Sequence, residues 1–337
     1  MNKDKLKNAI KGALYGVAVG DALGAPLEFM SADQIKRRHG LVTEMIGGGW
    51  LSVKPGEITD DTQMTLAVAE GIVANPGNPI EEVGTRFIEW MRSGPKDIGG
   101  TCSASISRAA SIAAGRTSNK NPSAGDRPTE DDWYRASKDT AIRNGQRSGG
   151  NGALMRTVYP GLFYRDRQEA KHEASDISRM THWDGESDDT CQLYTHIIHG
   201  FIQTEYTAAE EIDKEARDGM KNIILRSTLK DTQYDIGELQ GRQGELNPTG
   251  YVVDSMKCAV SFFWHAESFE EAVISAANMG GDADTIAAIT GGIAGAYYGY
   301  EAIPKRWIET LDPETRAQLD ILTEAALANR TREQRRD

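Results

Sequence analysis

Two helix-period segments built largely from small residues constrain the fold most: GALYGVAVGDALGAP, starting at Gly12, and ADTIAAITGGIAGAYYG, starting at Ala283. Glycine inside a helix costs stability, so this frequency needs a packing reason: close backbone approach between neighbours in a crowded helical core. Apolar spacing is helical elsewhere too. Leu6, Ile10, Ala13, Leu14 and Val17 share one face, as do Met64, Val68 and Ile72. Ser268, with Glu271 three residues on, is a helix start signal. Period-two alternation is scarce, and the best strand candidate, Leu41 to Ile46, is short and followed by Gly47, Gly48 and Gly49. The pattern predicts an all-α fold with little or no sheet.

At 337 residues the length alone allows one large domain or about two. Two polar stretches, Arg116 to Asp132 and Thr228 to Thr249, read as exposed excursions too short to separate domains. The organisation expected is one domain over residues 1–328 and a polar tail, 329–337, that frays. A net charge of −12 argues against a general grip on nucleic acid or an anionic membrane and favours a cationic ligand such as a metal. Cys102, Cys191 and Cys258 stand singly and the N-terminus shows no secretory signal, which predicts a reduced, cytoplasmic setting. The uncharged run from Thr285 to Tyr300 falls short of the roughly 18 to 20 residues that span a bilayer, so a buried helix is expected there.

Two acidic clusters lie far apart: Thr59, Asp60, Asp61 and Thr62 before one apolar helix, and Asp282, Asp284 and Thr285 after a glycine pair before another. Either cluster alone is accounted for by caps and first-turn charges that the helix dipole favours. Together, their carboxylate and hydroxyl oxygens suit hard cations such as Mg²⁺ or Mn²⁺, and four carboxylates fit a pair of ions about 3.5 to 4 Å apart. Residues i and i+2 diverge on a helix, so Asp282 and Asp284 converge only if Asp282 sits in the loop or cap, a geometry the glycines permit.

Other candidates are weaker. Glu28, between Leu27 and Phe29 just after Pro26, has a setting that raises a carboxyl pKa, although an exposed loop glutamate is the plainer reading. Gly149, Gly150, Asn151 and Gly152 form a glycine-rich turn, read as entering an apolar helix that carries Met155, whose amides would cradle a diphosphate; the Walker lysine and dinucleotide spacing are absent. His182 beside Trp183 reads as a ligand hydrogen-bonder, His196 and His199 as structural or surface groups, and Asp97 as an Asx-turn residue or ligand contact.

In order along nearly the whole chain, GVAVGDALGAPLEF, ITDDTQMTLAVAEGI, the Trp90 to Gly99 segment, GNGALMR, THWD, GYVVDSMKCAV and GGDADTIAAITGGIAGAYYG resemble the ADP-ribosylglycohydrolase family. The resemblance implies an orthogonal helical bundle with a binuclear Mg²⁺ or Mn²⁺ centre, hydrolysing the bond between ribose and an ADP-ribosylated acceptor. The acceptor is a protein side chain, arginine favoured, or a small ADP-ribosyl conjugate. By the same resemblance Thr59, Asp60 and Asp61 match one ligand set and Asp282, Asp284 and Thr285 the other. Glu28 matches an acidic residue assigned to catalysis or substrate positioning, Gly149 to Gly152 the diphosphate loop, and His182 a residue near the adenosine. Asp97 falls in a substrate-side loop. Asp60, Asp61 or Asp284 would orient or deprotonate the water while Glu28 assists as acid or base.

A catalytically silent ADP-ribose-binding or structural member is the alternative, with a two-metal phosphohydrolase behind it. The polar excursion before GNGALMR and the run Ser187, Asp188, Asp189, Thr190 after THWD depart from simpler family patterns and bear on acceptor choice. Asp188 to Thr190 are expected to cap a helix over Cys191 to His199.

Overall fold

In a computed structural model, which describes residues 2–117, 127–203 and 246–332 and a few positions between 204 and 245, the spine is a pair of antiparallel helices. These are α1 (Lys3–Gly24) and a later helix, α12 (Ala283–Tyr298). A Cβ placed on Gly12, Gly16, Gly20 or Gly24 would lie 2.2, 2.0, 2.1 or 2.4 Å from the carbonyl oxygens of Gly295, Gly291, Ala287 and Ala283 respectively. The glycine stripe at i, i+4 spacing is therefore the contact surface itself, and nothing larger fits there. This register lays the end of α1 beside the start of α12, which brings residues just past Gly24 next to Asp284.

Around the spine run α2 (Ala32–His39), α3 (Asp60–Ala74), α4 (Ile80–Arg92), α5 (Gly100–Thr117) and α6 (Glu130–Arg143). There follow α7 (Val158–Phe163), α8 (Arg167–Arg179), α9 (Gly185–Gln203), α10 (Val252–His265), α11 (Phe269–Asn278), α13 (Lys305–Thr310) and α14 (Pro313–Thr331). The described residues contain no strand, only isolated bridges such as Ser31 with Gly280 and Gly150 with Tyr251, so the fold is all-α. One continuous apolar core joins α1, α3, α9, α10 and α12. No described helix is long and apolar enough to cross a membrane.

Several local expectations change. Leu41 to Ile46 forms no strand, because the Asn278 side-chain amide donates to the Val42 carbonyl and accepts from its N–H, both at 2.8 Å, in place of a strand partner. Ser268 does cap α11, accepting from the Glu271 N–H at 3.1 Å. Asp188, Asp189 and Thr190 do not cap a helix: α9 already starts at Gly185, and Asp184 accepts from the Glu186 and Ser187 N–H groups. The Asp188 carboxylate instead pairs with Arg179 at 2.5 Å.

At the C-terminus, α14 continues through Asn329 and Arg330 instead of fraying. The buried Arg330 guanidinium donates to the Gly161, Leu162 and Tyr164 carbonyls, which fixes this last turn against α7. Residues 333–337 of the expected tail lie outside the described residues, as do 118–126 and 228–245 of the two polar excursions.

Candidate active site

At the junction of α1 and α12 the two acidic clusters meet. Thr285 Oγ1 donates to Asp61 Oδ2 at 3.4 Å, joining segments 224 residues apart. Glu28, Asp282 and Asp284 place carboxylate oxygens within 4.8 Å of one another. Asp282 is the N-cap residue of α12, held there by Gly280 and Gly281, whose φ of 74° and 66° suit glycine. Their Cβ positions would fall 2.1 Å from the Met30 carbonyl oxygen and 2.0 Å from that of Pro248. Asp282 thus turns toward Asp284, which a continuous helix would prevent.

Asp21, buried on α1, orients the other cluster. Its carboxylate accepts from the Thr59 hydroxyl at 2.7 Å, the Thr62 hydroxyl at 2.5 Å and the N–H groups of both residues. Asp21 therefore does for the N-terminus of α3 what a local cap does elsewhere. The single Thr59 hydroxyl proton serves Asp21 at 2.7 Å in preference to Asp61 Oδ2 at 3.5 Å, which leaves the hydroxyl lone pairs for a cation or another donor.

Burial, and after it neighbouring carboxylates, push Asp60, Asp61 and Asp284 well above the usual carboxylate range. Glu28 is pushed up to about 7, by burial first, against the Trp50 indole N–H that stabilises its charge, with Asp282 and Asp97 adding repulsion. Asp61 Oδ1 is buried without a hydrogen-bond partner. An orphaned carboxylate oxygen amid mutually repelling oxygen donors fits a hard divalent cation.

These acids floor a cleft of about 510 Å³ whose walls include Asp97, Gly150, Asn151, Gly152, Met155, His182 and Thr285. Thr59, Asp61 and Gly149 stand behind its lining. The turn at 149–152 leads into a 3₁₀ turn, Leu154–Arg156, and the short α7, in place of the apolar helix expected directly after it. Asn151 ties the turn to the acids by donating from Nδ2 to Asp282 Oδ2 at 2.7 Å. Its own N–H is occupied by the Gly250 carbonyl at 2.9 Å, so an anion would meet the turn through other donors. Asp97 accepts from the adjacent Ile98 N–H at 2.8 Å, a bond to the next residue and not an Asx turn.

Arg156, fully buried, supports this wall: it donates to the Gly152 and Ile177 carbonyls and, at 2.7 Å, to Thr181 Oγ1. Thr181 Oγ1 lies 2.8 Å from His182 Nδ1. A guanidinium only donates, so the Thr181 proton is directed to Nδ1, which assigns the imidazole proton to Nε2. Burial and the nearby Arg156 charge push the His182 pKa down to about 3, keeping the ring neutral. The result is a fixed N–H donor beside Gly150 and Gly152.

A family model described as ADP-ribosylglycohydrolase matches residues 2–337. The chain belongs to the ADP-ribosylglycohydrolase family. It is 30% identical to the ADP-ribosyl-[dinitrogen reductase] glycohydrolase of Rhodospirillum rubrum, over 94% of this chain and 95% of that protein. It is 31% identical to the ADP-ribosylarginine hydrolase Tri1 of Serratia proteamaculans, over 91% of this chain and 76% of the relative. A solved structure described as an ADP-ribosylglycohydrolase-related protein complex superposes with a TM-score of 0.74 at 25% identity, covering 97% of this chain and 100% of its own. Hydrolytic release of ADP-ribose from an acceptor is the chemistry of this family.

In this ADP-ribosylglycohydrolase the expected residues gather at one cleft, but three that shape it are not evident from motifs. Asp21 sits in an apolar helix and acts on residues 38 and 41 positions away. Trp50, in a glycine-rich turn, donates its indole N–H to Glu28 Oε2 at 2.5 Å. Arg156 ends GNGALMR yet works beneath the cleft. One signal was available for Asp21: a carboxylate on the buried stripe of a helix requires partners.

Proposed function

We propose that this ADP-ribosylglycohydrolase is cation-dependent and cleaves the bond between ADP-ribose and its acceptor through an activated water. The observation that carries this reading is the meeting of Asp61 with Thr285 behind the Glu28, Asp282 and Asp284 cluster. Thr59, Asp60, Asp61, Asp282, Asp284 and Thr285 would hold two divalent cations, Mg²⁺ or Mn²⁺. When bound, such ions lower the pKa of a coordinated water and polarise hydroxyls.

The chain's own groups supply the rest. Asp61 and Asp284 orient the water. Its oxygen bonds to the anomeric carbon as the bond to the acceptor breaks, and a proton passes to the leaving atom. Glu28, its carboxylate beside those of Asp282 and Asp284, is placed to hold and release that proton. Gly149 to Gly152 and Met155 hold the diphosphate side, and the His182 Nε2–H donates to an acceptor atom of the nucleotide. Asp97 faces the substrate. Residues from Glu28 to Thr285 contribute, so the activity belongs to one domain, which runs past the expected boundary at residue 328 to the end of α14. Arginine is the acceptor favoured, in line with the name of the Serratia proteamaculans relative, an ADP-ribosylarginine hydrolase.

Purified protein incubated with ADP-ribosyl-arginine and ADP-ribosyl-serine conjugates should release ADP-ribose with Mg²⁺ or Mn²⁺ and stop on chelation. Release that survives complete chelation would point to two carboxylates working without metal. No release from any conjugate would refute the reading.

A further inference from the structure

Beside Glu28 the cleft mouth carries two aromatic rings turned to solvent. Phe29 is 69% exposed and Trp50 is 51% exposed, with ring centroids 5.4 Å apart. Both rings stand on fixed backbone. Phe29 has a φ of 61°, a left-handed conformation that is costly for an aromatic residue. Its N–H donates to the Gly281 carbonyl at 2.7 Å, and the Gly281 N–H returns to the Met30 carbonyl at 2.8 Å. Trp50 tips a turn closed by Gly48 and Val53, whose Leu51 and Val53 pack on Ala25. An apolar side chain held in water by a strained backbone is a cost that folding alone does not explain.

The charge around the rings is negative. Trp50 donates to Glu28, and Asp97 acts on the same carboxylate. The nearby Lys96 is paired with Glu57 at 2.7 Å. The diphosphate turn is attached to the acidic cluster through Asp282, whereas the aromatic pair is attached through Glu28.

We infer that Phe29 and Trp50 form the acceptor subsite and receive a planar cation, the guanidinium of an ADP-ribosylated arginine, against their ring faces. Aromatic faces with carboxylates at their edge suit a delocalised, weakly hydrated cation better than a neutral hydroxyl-linked acceptor. The inference rests on the proposed glycohydrolase reading and adds which residues select the acceptor.

The test compares kcat/KM on ADP-ribosyl-arginine and ADP-ribosyl-serine peptides for the Mn²⁺-loaded wild type, Phe29→Gly and Phe29→Tyr, with calorimetric binding of free ADP-ribose. Glycine accepts φ of 61° without strain, so Phe29→Gly should keep the wild-type Tm. The arginine-to-serine ratio should fall about tenfold in Phe29→Gly and recover in Phe29→Tyr, while ADP-ribose affinity holds. An unchanged ratio, a wild type that prefers serine, or a parallel loss of ADP-ribose affinity would overturn the inference alone. A wild type inactive on both peptides would overturn the glycohydrolase reading and this inference with it.

Discussion

Asp21 accepts hydrogen bonds from both the backbone N–H and the hydroxyl of Thr59, the hydroxyl at 2.7 Å, so the residue that starts α3 is oriented by α1. Replacing Asp21 by Ala leaves two buried N–H groups and two hydroxyls without their acceptor. Urea denaturation should show a loss of about 3 kcal/mol. Asp21→Asn, which keeps one acceptor oxygen, should lose less. Cation affinity should weaken in both variants, since Thr59 to Asp61 lose their orientation.

The glycine stripe yields a paired prediction. In Gly16→Ala the added Cβ meets the Gly291 carbonyl oxygen at 2.0 Å, so α1 and α12 must separate, at a cost of about 2 to 4 kcal/mol. Gly115→Ala, at an exposed position of α5, should gain up to ~1 kcal/mol from helix propensity. Thermal melts of the two variants should move in opposite directions.

Much of this was legible from residues alone. Small residues at helical spacing announced close helix packing, and α1 against α12 is that packing. The two threonine-bearing acidic motifs suggested that distant segments meet, and Asp61 does reach Thr285. What was not legible depends on distant partners. Asp21 reads like any aspartate in a helix until Thr59 and Thr62 are seen beside it. Asp188 to Thr190 looked like a cap because their composition is that of a cap, but Asp184 had already capped α9. Val42 looked like strand because its backbone partner, the Asn278 side chain, lies 236 residues away.

His182 should show a neutral imidazole with its proton on Nε2 in ¹⁵N-detected NMR at pH 7. Thr181→Val, which removes the partner of Nδ1, should produce a mixture of tautomers. Folded His182 is pushed down to about 3, whereas an unfolded histidine titrates near 6.5. The unfolded chain therefore binds more protons below pH 6.5, and this residue's contribution falls as pH drops toward 3 and is constant above 6.5. His182→Gln should flatten the stability profile across that window by at most ~1.4 kcal/mol per pH unit relative to wild type.

Equilibrium Mn²⁺ binding most directly tests the central claim, that two acidic motifs from opposite ends of the chain build one cation site. Wild type should bind two Mn²⁺ per chain, and Asp284→Ala should lose occupancy in parallel with ADP-ribose release. No saturable Mn²⁺ binding by wild type, or unchanged stoichiometry in Asp284→Ala, would contradict the account.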